Sequence, residues 1–356
     1  MWTLLPKALD FSNMCLYDFA EAAYSNQQYG FAAIAFNAAG DYEDAVTKKY
    51  YSYYTEGVTK RDEKSWDAAR TAFKMANDYS DAQMQINETT YQEAANLYAN
   101  KQYTEAYKKY KEIKGYKDVD KLLKTDQHLV AAKIEPYKTK GNVVLFGKYE
   151  QDNDTRNGSE DIEWIVLDVQ NSKCLLISKY CLDVIQFYDN IDLHIQWDKS
   201  ILRKYLNEDF YNAAFSQSEK KAIITTQVNN GDSQKNSKYN TKGGSNTTDK
   251  IFALSYAEAN KYFGVTDNYN TNTRAIAAPT AYALYVNANI KVNKEWNRAK
   301  TSNGGKAAYW WLRSPGSYEN AACYVDYNGN QGFDYHEQYE FIRPAFWLSL
   351  DPNVLP

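Results

Sequence analysis

Trp310-Trp311-Leu312-Arg313-Ser314-Pro315-Gly316 and, further on, Arg343-Pro344-Ala345-Phe346-Trp347-Leu348 read as two apolar strands with a polar, ring-rich interval between them. From Ser317 to Glu340 the chain sets Tyr318, Tyr324, Tyr327, Tyr335 and Tyr339 among Asn320, Asn328, Asn330, Gly329 and Gly332. Rigid amphipathic rings mixed with small adaptable polar groups are the composition of a binding surface. The interval holds no nucleophile–base pair, so it points to recognition ahead of catalysis and implies no cofactor. The residues expected to meet a ligand are Tyr318, Asn320, Tyr327, Asn328, Asn330, Phe333, Asp334, Tyr335, His336 and Tyr339. Arg313 and Arg343 stand in apolar strand sequence, where a guanidinium persists only when paired and hydrogen-bonded. Asp168 or Asp326 is the expected partner, and Trp310, Trp311 and Trp347 are expected in the core.

Working back from this segment, the pattern stays mixed. Val143–Tyr149, Ile162–Val169 and Cys174–Tyr180 read as strands, with the turn-rich Asp152–Gly158 between the first two. Helical stretches are expected at Ser200–Asn207 and Ser218–Ile223, then a long polar loop over Asn229–Thr248. A strand at Ile251–Leu254 and a helix at Tyr256–Phe263 follow. Strands and helices without βαβ alternation argue for an α+β domain over 142–356, not a doubly wound sheet. The polar, helix-breaking run Glu135-Pro136-Tyr137-Lys138-Thr139-Lys140-Gly141 is the expected linker, 135–141.

Before it lies a pattern with a 37-residue period. Tyr17, Tyr54 and Tyr91 align, as do Ala32, Ala69 and Ala106, and Phe36, Phe73 and Tyr110. Tyr103, Ala106, Tyr107 and Tyr110 fall on one face of a helix. Recurring alanines belong where two helices cross closely, and such pairs bury their apolar faces only by stacking. Residues 1–134 are therefore expected to form three helical pairs and a final helix near Lys117–Lys133. Tyr53, Tyr54, Tyr91 and Tyr98 are expected to pack between copies.

Charge is nearly balanced, 41 Lys and Arg against 45 Asp and Glu, so sequence-independent nucleic-acid binding has little electrostatic support. Thirty-three tyrosines suit a recognition protein, although codon bias in an AT-rich genome would raise the same count. Cys15, Cys174, Cys181 and Cys323 match neither a zinc site nor a disulfide framework. No stretch approaches the roughly 20 apolar residues of a membrane helix, so no membrane insertion is expected. Residues 1–7 lack the apolar core of a signal peptide. A surface or secreted location would need an upstream leader or anchor. Asp152-Asn153-Asp154 with Asn157-Gly158 only faintly fits a calcium loop. His128, His194 and His336 form no recognisable metal or triad motif, so no metal is assigned.

Two resemblances emerge from these residues. The helical pairs, with small residues at the crossing and an aromatic ahead of the alanine, resemble tetratricopeptide repeats, over about residues 10–134. Phe146–Asn153, Glu163–Asp168, Leu175–Tyr180, Leu202–Asn207, Trp310–Gly316 and Arg343–Ala345 together resemble a bacterial family of uncharacterised domains. That family is similar to the C-type-lectin-like fold shared with sulfatase-modifying factors and with the variable proteins of diversity-generating retroelements. The resemblance implies an α+β C-type-lectin-like domain preceded by an all-α tetratricopeptide-like solenoid, with residues 317–340 facing a ligand. The expected function is non-enzymatic binding of a protein or glycan, with a further protein partner on the helical repeats. An enzyme of the sulfatase-modifying type is the alternative, although only Cys323 stands where that type carries a cysteine pair. An intracellular adaptor acting through the helices is another.

Overall fold

The computed structural model describes residues 4–190, 196–230, 241–266, 271–291, 298–302 and 304–356, with side chains from Phe11 onward. His194 and part of the polar run Asn229–Thr248 lie outside the described residues. The chain divides into two units, Met1–Lys133 and Ile134–Pro356, helical in the first and rich in strands in the second. Among the described residues no helix is long and apolar enough to cross a membrane.

In the first unit, apolar residues at helical spacing produce α1 (Leu4–Ser25), α2 (Tyr29–Ala39), α3 (Ala45–Asp62), α4 (Trp66–Met75), α5 (Ala82–Ala99), α6 (Tyr103–Glu112), α7 (Val119–Thr125) and α8 (Gln127–Ile134). The final helix expected near Lys117–Lys133 is two, because the Asp126 carboxylate accepts the backbone N–H groups of His128 and Leu129 and starts a new helix. Ala32, Ala69 and Ala106 have no exposed surface. On α3 a Cβ at Gly57 would lie 2.8 Å from the Phe73 ring, so only a hydrogen fits where α3 meets α4.

One arrangement recurs at the 37-residue spacing. Tyr17, Tyr54 and Tyr91 donate their hydroxyls to Asp44, Asp81 and Asp118 at 2.5, 2.7 and 2.8 Å. Each of those aspartates precedes a helix, yet none caps it with its side chain. Each sits instead at the positive end of the helix dipole while holding the previous helical pair. The same tyrosines meet Phe36, Phe73 and Tyr110 edge to face, with centroids 5.4, 5.5 and 5.6 Å apart. Tyr98 likewise bonds Asp126 at 2.8 Å.

The second unit carries two five-stranded sheets. Its strands are β1 (Val143–Tyr149), β2 (Glu160–Gln170), β3 (Lys173–Ser178), β4 (Asp183–Gln186), β5 (Ile223–Ile224), β6 (Thr226–Val228), β7 (Thr247–Asp249), β8 (Thr301–Ser302), β9 (Ala307–Ala308), β10 (Trp310–Pro315), β11 (Ala321–Val325), β12 (Gln331–Tyr335), β13 (Tyr339–Ile342) and β14 (Ala345–Ser349). One sheet has the order β1-β2-β3-β14-β5 and the other β12-β11-β10-β13-β4. The helices are α9 (Ile201–Tyr205), running on as a wider π-turn over Leu206–Phe210, then α10 (Tyr211–Ala214), α11 (Gln217–Ala222), α12 (Tyr256–Phe263) and α13 (Ala281–Asn289).

The unit is α+β. Trp164, Trp197, Trp310, Trp311, Phe341 and Phe346 are wholly buried in a single core, against which Trp347 packs half-buried. Three expectations need correction. Ile251–Leu254 is not a strand: only Phe252 bridges, to Ala345, because its neighbours bury their side chains without a ladder. The expected linker includes a 3-10 turn, Glu135–Lys138, whose Tyr137 hydroxyl donates to the Leu145 carbonyl at 3.2 Å. Residues 317–340 contain β11, β12 and the start of β13 where only a polar, ring-rich interval was expected, since Asp326-Tyr327-Asn328-Gly329 is a hairpin turn.

Candidate functional site

The hairpin of β11 and β12 forms one edge of its sheet, and alternation along β12 sorts its side chains. Phe333 and Tyr335 share a face, opposite Cys323 and Ala321. Tyr318, just after β10, closes on them: its ring stacks on Tyr335 at 6.2 Å and 12° and meets Phe333 edge-on at 5.7 Å. Tyr318 is 55% exposed and Tyr335 39%, so two near-parallel rings stand open at the sheet edge.

The other face of the hairpin is closed. A Cβ at Gly332 would lie 2.5 Å from Tyr324, so the glycine exists to let that ring cross the strand. Tyr324 meets Tyr309 at 4.7 Å, and Tyr309 meets Tyr327 at 5.2 Å. The Asp334 carboxylate pairs with Lys300 at 3.2 Å, and that ammonium lies 5.4 Å from the Tyr309 ring centre. Burial pushes the Tyr309 and Tyr324 phenols well above their ordinary value. Glu340, unlike them wholly buried, has its carboxyl raised far above 4.5 by loss of water. Its Oε2 has no hydrogen-bond partner.

The turn is fixed by Asp326, whose Oδ1 accepts the N–H groups of Asn328 and Asn330 at 2.8 and 2.9 Å. Gly329 has φ +82°, and a Cβ there would strike the Asn272 carbonyl oxygen. Asn328 in turn accepts the Asn272 N–H at 2.7 Å. Asn330 is consequently buried, and His336 is buried too, stacked on Phe187 at 4.9 Å. Neither belongs to an open surface, contrary to the expectation for both. Asn320 accepts the His336 N–H through its carbonyl oxygen at 3.0 Å, and Tyr339 is half-buried where β13 pairs with Gln186 of β4. The ten expected residues therefore do not share one face. Tyr318, Phe333 and Tyr335 come together as an edge cluster, Tyr327 and Asp334 lie on the opposite face, and the rest form the frame.

The two arginines also differ from expectation. Arg313 pairs with Glu258, at 2.5 Å through Nη1 and 3.0 Å through Nη2, not with Asp168 or Asp326. Glu258 also accepts the Ser255 N–H in a capping box, so this pair ties β10 to the start of α12. Asp168 binds Lys140 and Lys261 instead. Arg343 has no carboxylate partner among the described residues. Its Nε donates to the Ser178 carbonyl at 2.9 Å, its Nη1 has no partner, and burial pulls it down to about 10.

Other candidate chemistry is modest. Cys323 is wholly buried, its thiol pushed up to about 12 by desolvation, and its sulfur lies 3.1 Å from the Pro315 carbonyl oxygen. Oxygens of Glu150, Asp152 and Glu160 approach within 4.8 Å of one another. Much of that cluster is already spent: Glu160 accepts two backbone N–H groups, Asp152 accepts from Asp154 and Asn157, and Asp154 forks to Arg156. A buried Asp183 carboxylate accepts the hydroxyls of Tyr149 and Tyr205 at 2.6 and 2.5 Å. In the helical unit, Phe31, Ile34, Tyr53 and Met75 line a groove of about 630 Å³. The Tyr53 ring thus takes part in a groove, where packing between copies was expected.

Compared with known families, residues 171–350 match the one described as "Domain of unknown function (DUF6273)". No curated protein and no solved structure matches the chain.

Proposed function

The chain belongs to the DUF6273 family, and on that premise we propose that it is a non-enzymatic binding protein whose strand-rich unit grips a protein or glycan at the β11–β12 edge. The observation that carries this reading is the pair of open rings, Tyr318 and Tyr335, stacked at 12° with Phe333 behind them. Flat, solvent-facing rings held by a strand match the apolar face of a sugar ring or a protein side chain at little entropic cost. The finer reading is a tetratricopeptide-like array presenting a C-type-lectin-like domain. Its support is the recurrent tyrosine–aspartate bonding of the helices and the motif WWLRSPG with RPA. The likeness to retroelement variable proteins supports the choice of residues 317–340 as ligand-facing.

A glycan and protein array probed with the full chain tests this. Tyr318→Ala with Tyr335→Ala should abolish capture while the circular dichroism spectrum is unchanged. Capture that survives the double substitution sinks the reading.

A second reading, an adaptor acting through the helices, draws on the groove lined by Phe31, Ile34, Tyr53 and Met75. Under it, Ile34→Asp would abolish partner capture and the tyrosine substitutions would not. An enzyme of the sulfatase-modifying type has less support, since the Cys323 thiol is buried and held protonated.

A further inference from the structure

We propose that the cleft between β2 and α12 is a second binding site, and that its ligand is a small organic anion carrying a carboxylate or phosphate on an apolar or ring body. The cleft has a volume of about 580 Å³, which lies in the range of small-molecule pockets. Ile165, Leu167 and Phe263 supply its apolar walls, and Lys140, Lys261 and Arg274 supply its cations. It is formed by different elements from the tyrosine edge.

Charge gives the site its sign. Asp168 is the one carboxylate paired with these cations among the described residues, and its oxygens are already crowded. Oδ1 meets Lys140 at 2.5 Å and accepts the Val169 N–H at 3.0 Å. Oδ2 meets Lys261 at 3.5 Å and accepts from Gln170 and from the Tyr262 hydroxyl. Three cations against one carboxylate leave a surplus of two positive charges. Asp168 positions the two ammonium groups without saturating them, since each carries three N–H donors and both side chains stay about 60% exposed. Arg274 is steadied by one bond, from Nη2 to the Tyr262 carbonyl at 2.9 Å, which leaves most of its fork of donors for a ligand.

A further positive charge lies close by. The Arg343 guanidinium is 5.0 Å from the ring centre of Phe263, the same ring that lines the cleft. It is 2% exposed, has no carboxylate partner among the described residues, and its Nη1 is unsatisfied. An uncompensated buried cation is costly, and an anion in the adjoining cleft would lower that cost. The apolar walls argue for an anion with a body, not for a bare inorganic ion.

The test uses the full chain with D-glucuronate and α-D-glucose 1-phosphate as probes and methyl α-D-glucoside as the neutral control, followed by amide chemical shifts and calorimetry. At least one charged probe should bind in the millimolar range or tighter, weaken as salt is raised, and shift the amides of Lys261, Tyr262 and Phe263. Which of the two binds separates a carboxylate ligand from a phosphate one. Lys261→Gln with Arg274→Gln should weaken it by about tenfold or more, and both side chains are exposed enough that folding should survive. Tyr335→Ala should leave it unchanged, which keeps this outcome separate from that of the tyrosine edge. The proposal is overturned if neither anion binds, if the neutral glucoside binds as well, if the shifts map elsewhere, or if the double variant binds like the unaltered chain.

Discussion

Both units are rich in tyrosine, and they use it in opposite ways. In the helices, Tyr17, Tyr54 and Tyr91 each turn the hydroxyl onto an aspartate at the start of a later helix and the ring onto an aromatic partner. In the strand-rich unit, Tyr318 and Tyr335 hold each other in place by stacking while more than a third of each stays exposed. The same residue is a fastener in one place and an open surface in the other. What separates them is whether the hydroxyl finds a carboxylate at a fixed distance along the chain.

The comparison can be tested by perturbing each unit in turn. Arg313→Met should have the largest effect, since it strands Glu258 without its bidentate partner and cuts β10 from α12. A loss of about 3–5 kcal/mol is expected, read as a lowered melting transition of the strand-rich unit with the helical transition unmoved. If both fall together, the units are not energetically separate.

Acid and base should then act with opposite sign on one carboxyl of each unit, Glu88 and Glu340. Burial opposes ionisation of Glu88, but bonds from Lys117, Gln92 and Tyr116 outweigh it and hold its carboxyl at about 2. Its contribution is complete above the ordinary 4.5 and is lost as pH falls from there through about 2. Glu340 is raised by burial, so its own contribution is complete below 4.5 and is lost as pH rises above that value. Glu88→Gln should flatten the acid limb of the helical transition. Glu340→Gln should raise the strand-rich transition at pH 7 and have no effect below pH 4.5. A Glu340→Gln variant that is less stable at pH 7 would show that the carboxylate is ionised and paired.

Smaller still is Tyr54→Phe, which removes only the hydroxyl bonded to Asp81 and should cost about 1 kcal/mol of helical stability by urea unfolding. Smallest is Tyr335→Ala: an exposed ring at a sheet edge should change stability by no more than about 0.5 kcal/mol, while ligand capture is lost. Equal costs for the two substitutions would erase the distinction between fastener and surface.

Much of this was legible in the chain. Helix Tyr256–Phe263 appears with the bounds its pattern gives, because Ser255 and Glu258 form a capping box around a helical apolar spacing. The strand at Trp310 was equally clear. The hairpin inside 317–340 was missed, although Asn328-Gly329 between Val325 and Gln331 is a turn signal and Phe333 and Tyr335 alternate across Asp334. High polarity masked a two-residue period. The partner of Arg313 could not have been read: Glu258 lies 55 positions away, and only the packing of α12 on β10 brings the two together.

The sequence by itself determined the spacing of the helical unit's fastening, since a tyrosine and an aspartate recur 27 residues apart and meet in all three copies. It also determined that the interval before Arg343 is rich in rings and amides. Only the tertiary structure decided which of those groups are open. Phe187 covers His336, Asn272 clamps the turn of Asn330, and Lys300 closes over Tyr309, while the edge of β12 leaves Tyr335 uncovered. Burial is a property of what arrives from elsewhere in the chain, and short-range pattern carries no information about that.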